Sequence, residues 1–416
     1  MKMPAALSKL KFSAQVDPQP YDSWMLFSAI SLLLVGFLMV TSASMEVAGV
    51  RYDTPFYFSI RHLIFIVLGC LAALVTFFVP SRFWQRTGHW WLLVSLILLV
   101  AVLIPGIGRE VNGSSRWISM GPINLQASEL AKLFMIMYLA GYLVRRLDEV
   151  RSQWSGFAKP MAVVSIFIVL LLLEPDFGAV VVMMMAVLGM IFLSGMRLSQ
   201  FVVVIIGSIL LVAGMAISQP YRMQRLITFL DPWADPFGSG YQLSQAQIAF
   251  GRGEITGLGL GNSVQKLFYL PEAHTDFVFS VLAEELGLIG ALGMVILFAI
   301  LIVRAFYIGR NSELLQRRYQ GYVCYGIGLV FSAQALINIG VNVGVLPTKG
   351  LTLPLVSYGG SSLLVSMVML AILSRIHFEN FYLQKKTDQA AAKKTRKSKK
   401  SSAAAGVGDM APEVVS

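Results

Sequence analysis

The chain has 416 residues, of which 56% are hydrophobic and 13% charged, with a mean hydropathy of +0.71. That balance excludes a soluble globular protein and points to a polytopic helical membrane protein. The net charge of +11 does not mark a nucleic-acid binder, because the basic residues collect in a C-terminal tail and in short loops, where they report membrane topology and lipid contact.

Residues 1–23 hold Lys2, Lys9 and Lys11 and no apolar core, so they read as an N-terminal tail and not as a cleavable signal. Ten apolar segments follow, at 24–45, 57–79, 89–105, 125–144, 160–174, 177–194, 200–218, 277–307, 320–346 and 355–376. The expected fold is therefore all-α, with about ten transmembrane helices and one large loop, 219–276, between the seventh and eighth. The apolar part of the fifth segment, 161–173, would reach only about 20 Å as a helix against a bilayer core of roughly 30 Å. That helix must extend through Lys159 on one side or into Glu174-Pro175-Asp176 on the other. The large loop is too long for a plain connector. Within it, 219–230 suggests a short interfacial helix with Arg222 and Arg225 one turn apart, 231–238 is rich in turns, and 241–251 reads as another short helix. The glycines at 257–261 form a tight turn, and without a preceding strand they do not make a dinucleotide site. Cys70 and Cys324 read as packed thiols, and the basic tail 377–416 as disordered and Ala/Lys/Ser-rich.

Of the 33 Lys and Arg residues, 23 fall on the same side as both termini. The positive-inside rule places that side in the cytoplasm and 219–276 outside. Charged residues inside or beside spans are costly and mark cavities or partners. Asp276 stands at the mouth of the eighth span, in Glu272-Ala273-His274-Thr275-Asp276. A carboxylate there is either a general base for chemistry on lipid-linked substrates or part of a transport path. Glu129 and Lys132 share one face of the fourth span, as an internal ion pair or as a cavity wall where Lys132 meets a phosphate. Glu174 and Asp176 cap a hairpin or offer a carboxylate at a cavity rim. The two prolines and several glycines of 347–362 predict a broken or re-entrant segment lining a cavity, with a kinked helix hairpin as the alternative.

Taken together, Ser115-Arg116-Trp117-Ile118, Gln126-Ala127-Ser128-Glu129-Leu130-Ala131-Lys132, Glu174-Pro175-Asp176-Phe177-Gly178, Pro271 through Gly287 and Pro347 through Ser362 resemble the SEDS family of bacterial shape, elongation, division and sporulation proteins. The resemblance spans 24–376, and Gly251-Arg252-Gly253-Glu254, 261–266 and 347–351 are closest to its division branch. Ala127, Glu174 and Ala179 depart from the family's usual proline, glutamine and threonine. The resemblance implies a peptidoglycan glycosyltransferase of the bacterial inner membrane that polymerises lipid II at the division septum. It also implies partnership with a class B penicillin-binding protein (FtsI, the septal transpeptidase) and other divisome membrane proteins. The family's outer-loop carboxylate falls on Asp276, and its cavity residues fall on Glu129, Lys132 and Asp176.

The expected chemistry is a single inverting displacement, with Asp276 as general base and cations stabilising the departing pyrophosphate. Arg116, Lys132, Arg222, Arg225 and Lys349 are the candidates for that cationic role. A divalent cation, Mg or Mn, is a candidate to share it, with Asp276 or Asp176 as an oxygen ligand. A lipid II flippase and a non-catalytic divisome scaffold are the alternative readings.

Overall fold

The structure, a computed structural model, describes residues 19–111, 114–121, 123–197, 199–203, 205–207, 214, 229–347 and 350–406. Its helices are α1 (Ser23–Tyr52), α2 (Tyr57–Phe78), α3 (Ser81–Val102), α4 (Ala127–Arg145), α5 (Leu147–Ser152), α6 (Trp154–Leu173), α7 (Phe177–Leu193), α8 (Tyr241–Gly253), α9 (Val278–Leu314), α10 (Arg318–Val343) and α11 (Gly360–Gly406). Among the described residues, α1, α2, α3, α4, α6, α9, α10 and the first thirty residues of α11 are long and apolar enough to cross a membrane, and α7 is a shorter apolar helix. The protein is thus a multi-pass membrane protein. The expected seventh span, 200–218, lies largely outside the described residues, as do Arg222, Arg225 and Lys349.

Each boundary that moved has a local cause. The α6 helix extends on the Lys159 side, starting at Trp154 and carrying Pro160 inside it. The α3 helix begins at Ser81, earlier than the apolar run suggested, because its N-terminus is anchored: the Ser81 amide donates to Glu379 Oε1 at 2.9 Å and Gln320 Nε2 donates to Ser81 Oγ at 3.0 Å. Its first two turns carry Arg82, Gln85 and Arg86, which hid the helix from a hydropathy reading. The last helix runs on past 376 to Gly406, where a disordered tail was expected. Alanine, lysine and glutamine in 383–406 are good helix formers, so low hydropathy there did not mean low helix propensity. Cys324 is buried as expected, but Cys70 lies on the exposed face of α2.

The all-α expectation needs one addition. Between α3 and α4 lies an antiparallel sheet, β1 (Gly108–Val111), β2 (Ser114–Met120) and β3 (Ile123–Gln126), in the order β1-β2-β3. Its strands are short, mix polar and apolar residues, and touch the core through Ile118. The alternation that advertises a half-buried strand is therefore weak.

α4, α10 and α11 form the centre, with 83%, 72% and 72% of their apolar stretches buried, while α2 and α3 bury only 22% and face outward. Apolar burial gives little drive between helices in lipid, so close backbone approach matters more. Gly36 on α1 shows this: an added Cβ would sit 2.7 Å from Val356 Cα, on the non-helical segment before α11. That segment breaks the helical bundle as the sequence suggested. Its described residues are 344–347 and 350–359, with Leu353, Leu355 and Val356 buried.

Candidate functional site

Four chain segments meet at one end of the bundle. The first is the turn leading into α9. It carries Asp276, whose backbone carbonyl accepts hydrogen bonds from Asn338 Nδ2 and Asn342 Nδ2, both at 2.9 Å. Those asparagines lie one turn apart on α10 and do more than hold Asp276. Asn338 Nδ2 also donates to Leu351 O at 2.6 Å, and Asn342 Oδ1 accepts from the amide and hydroxyl of Ser280 at 3.1 and 2.7 Å. The pair therefore fixes the start of α9 against the broken segment, satisfying orphan amides of the helix's first turn. Gly350 belongs to that second segment. An added Cβ there would lie 2.9 Å from Asp276 Oδ2, so a larger residue at 350 would push the carboxylate aside.

The other two segments supply charge. Arg116 on β2 donates from Nε to Glu174 O at 3.3 Å and from Nη2 to Pro175 O at 2.6 Å, capping the C-terminal end of α6. Asp176 is used for structure: Oδ2 accepts from Ser128 Oγ at 2.8 Å and Gln126 Nε2 at 3.3 Å, and Oδ1 accepts from the Ala179 amide at 3.2 Å as the α7 N-cap. Ser361 Oγ joins α11 to the sheet, accepting from the Gln126 amide at 2.9 Å and donating to Asn124 O at 2.7 Å. His274 packs against Phe58 and Tyr358 with ring centroids 4.6 and 5.7 Å away, and its carbonyl accepts from the Tyr358 amide at 3.0 Å.

The electrostatics set two carboxyls apart. Asp276 is half-buried, and desolvation, helped by the nearby Glu272 charge and opposed by Arg116, pushes it up to about 7. Glu174 is buried, and neither of its carboxylate oxygens has a hydrogen-bond partner. Desolvation and the Asp176 charge, again opposed by Arg116, push it up to about 8. A neutral acid at 174 offers one donor and one acceptor, which is the complement of the amide the family usually carries there. Burial holds the His274 imidazole below its ordinary value, against the opposing Glu272 charge.

The structure places Arg116 beside the Glu174-Pro175-Asp176 turn and within electrostatic reach of Asp276. Glu129 and Lys132 form a buried ion pair, Nζ to Oε1 at 2.9 Å, with Lys132 1% exposed. Asn338 and Asn342 were missed; the available signal was two amides at i and i+4 in an apolar span, a costly pattern without a partner. Among the described residues no cluster of three or more His, Cys, Asp or Glu side chains stands ready for a metal, and the oxygens of Asp176 are already engaged. The donor set does not suit a protein-built cage. It suits at most an ion held mainly by the substrate's own phosphate oxygens.

Residues 23–382 match the family FTSW_RODA_SPOVE, described as "Cell cycle protein". The chain belongs to this family. Among its relatives, a probable peptidoglycan glycosyltransferase FtsW from Hahella chejuensis is 53% identical over 392 residues, covering 94% of this chain and 99% of that one. One from Halomonas elongata is 54% identical over 387 residues, 92% and 97% of the two chains. Solved structures are also similar. A chain from a peptidoglycan synthase complex, in work on structural coordination of polymerization and crosslinking, aligns with a TM-score of 0.71 at 29% identity, over 86% of this chain and 98% of that one. The rod shape determining protein RodA of Thermus thermophilus aligns with a TM-score of 0.63 at 27% identity, over 86% and 96%. Membership in the SEDS-type family, expected from five separated motifs, therefore holds across the whole membrane domain.

Proposed function

We propose that this chain is a peptidoglycan glycosyltransferase that polymerises lipid II, with Asp276 as the general base. The carrying observation is a half-buried carboxylate whose ionisation sits at about 7, the range in which a base is both free to accept a proton and strong enough to hold it. The 4-hydroxyl oxygen of the acceptor sugar attacks C1 of the donor sugar. The bond from C1 to the phosphate oxygen breaks, the lipid pyrophosphate leaves with the electron pair, and the hydroxyl proton passes to an Asp276 oxygen. One displacement inverts the centre, converting an α-linked donor into a β-linked product. Arg116 is the described cation nearest this chemistry, within electrostatic reach of Asp276, and we assign it stabilisation of the departing pyrophosphate. Lys349, next to Gly350 in sequence, and Arg222 and Arg225 are further candidates. A divalent cation, if recruited, would arrive on the pyrophosphate and add charge neutralisation there.

The synthase-complex likeness supports a crosslinking partner, and we assign a class B penicillin-binding protein, the septal transpeptidase, with other divisome membrane proteins around it. The distribution of Lys and Arg supports cytoplasmic termini and an outward-facing Asp276 in the inner membrane at the septum. The deciding experiment is incubation of purified protein with lipid II, with and without the transpeptidase. Glycan strands should form, and more of them with the partner. Lipid II movement across proteoliposomes without strands would assign a flippase, and neither activity a scaffold. Orientation is checked by single cysteines at the exposed Ser239 and Ser155: an impermeant thiol reagent outside the cell should reach the first and not the second.

A further inference from the structure

At the end of the bundle away from Asp276, α3 and α4 diverge around a cavity of about 400 Å³ lined by Arg82, Gln85, Arg86, Gly141, Val144 and Arg145. Three residues from each helix sit at i, i+3 and i+4, so two matched faces confront each other. Higher up, the helices touch: Gly88 packs on the Met137 backbone, and Trp91 stacks on Phe134 with centroids 5.3 Å apart. The cavity therefore has an apolar wall and a basic mouth. At Gly141 an added Cβ would lie 3.1 Å from Arg145 Nη1, so a larger residue would crowd that guanidinium.

Three exposed guanidiniums in one cleft repel each other, a repulsion that water screens and a bound anion removes. No acid lines this one, and three acids elsewhere at this end have other partners. Glu149 takes Arg146 and Lys159, Glu379 takes Arg317 and Arg375, and Asp22 takes Arg304. Among the described residues, Arg82, Arg86 and Arg145 make no ion pair or hydrogen bond. Behind them the Tyr319 hydroxyl is buried without a partner and feels the Arg145 charge. The same stripe of α3 continues from Arg82 and Arg86 as Trp90, Leu93 and Ile97, all exposed. A tryptophan one turn below a basic pair is the pattern of a membrane interface, with lipid chains beyond it.

We propose that this cleft binds the phosphate of an anionic phospholipid, with its acyl chains lying along the Trp90, Leu93 and Ile97 stripe. A free phosphate would satisfy the arginines but has no use for the stripe, which is why the lipid is favoured. Basic pockets between transmembrane helices are suited to such headgroups.

The test uses the full-length protein in mixed micelles of zwitterionic lipid, with labelled phosphatidylglycerol added. Wild type should retain at least tenfold more label than the Arg82→Gln/Arg86→Gln/Arg145→Gln variant, while Arg146→Gln, whose guanidinium is paired with Glu149, should match wild type. Elution volume and thermal midpoint show whether the triple variant is folded; if it is not, Arg86→Glu alone should lose most of the retained lipid. Trp90→Ser should weaken retention of lipid but not of inorganic phosphate. Equal retention by wild type and the arginine variants overturns the site. Displacement of the lipid by inorganic phosphate at equal molar concentration overturns the lipid assignment.

Discussion

Two sets of acids, one outside α9 and one within it, behave in opposite ways. Asp276 precedes α9 and Glu174 lies in the α6–α7 turn; the Glu174 carboxylate oxygens have no partner, and both carboxyls are pushed toward the neutral form. Glu284 and Glu285 within α9 are 0% exposed; Glu284 uses both carboxylate oxygens, whereas Glu285 uses Oε1 and its Oε2 has no partner. Glu284 accepts from Arg252 Nε at 2.9 Å and from the amides of Val264 and Gln265, both at 3.2 Å, as well as from Ser263 Oγ. Glu285 accepts from Ser42 Oγ at 2.6 Å and pairs with Lys266 Nζ at 2.9 Å. Two residues after Glu285 the helix breaks at Gly287, with φ +66°. The freed Glu284 and Glu285 carbonyls accept from the amides of Leu258 and Gly259, both at 3.0 Å, and the Leu288 and Ile289 amides donate to Glu254 and Ile255 carbonyls at 2.9 and 3.2 Å. The loop is thus stapled into the membrane domain by acids that are spent on structure. The acids left unspent are the ones free for chemistry.

The contrast can be broken in graded ways. The largest effect belongs to Asp276→Asn, which keeps shape and removes basicity. Polymerisation of lipid II should fall by roughly 10²–10⁴-fold with the thermal midpoint unchanged. Near-normal strand synthesis would take the base role away from Asp276. Glu285→Gln should do the reverse, harming the fold first. Removing one partner of a buried pair costs about 3–5 kcal/mol, read as loss of monodisperse protein on size exclusion. Glu285→Gln with Lys266→Met should recover part of that loss, since no charge is left unpaired.

The Glu129–Lys132 pair sits between these extremes. If it serves structure alone, Glu129→Gln with Lys132→Met should be better tolerated than Lys132→Met, in yield and activity together. Equal inactivity of folded single and double variants would instead assign Lys132 to the substrate.

Smaller effects concern pH. A base must be ionised, so activity should rise with pH through about 7, where the Asp276 carboxyl titrates. Glu272→Gln removes a like charge, lowers the Asp276 value and should move that limb to lower pH; Arg116→Gln should move it higher. Stability runs the other way for such a group: its contribution is lost as pH rises from the unfolded value near 3.8 toward 7, because the unfolded chain ionises first. Smallest of all should be Glu174→Gln, within about threefold of wild-type activity, since at neutral pH the side chain is already uncharged. A large loss would mean that Glu174 works as an acid.

Hydropathy alone determined the membrane class and most of the spans, because a bilayer demands long apolar helices whatever their neighbours. The motif spacing marked Asp276, and the short fifth segment forced its helix to extend. The sheet, the early start of α3 and the long run of α11 were hidden, since polar or amphipathic residues carry those elements and hydropathy is blind to them. What only tertiary structure decided is which acids are satisfied. Glu174 and Glu285 read alike as buried carboxylates in a membrane protein. One has no partner and the other has Ser42, from α1, and Lys266, from the loop. Hydrogen-bond satisfaction depends on groups brought together across the chain, and the low dielectric around it makes the unpartnered Glu174 carboxyl favour its neutral form.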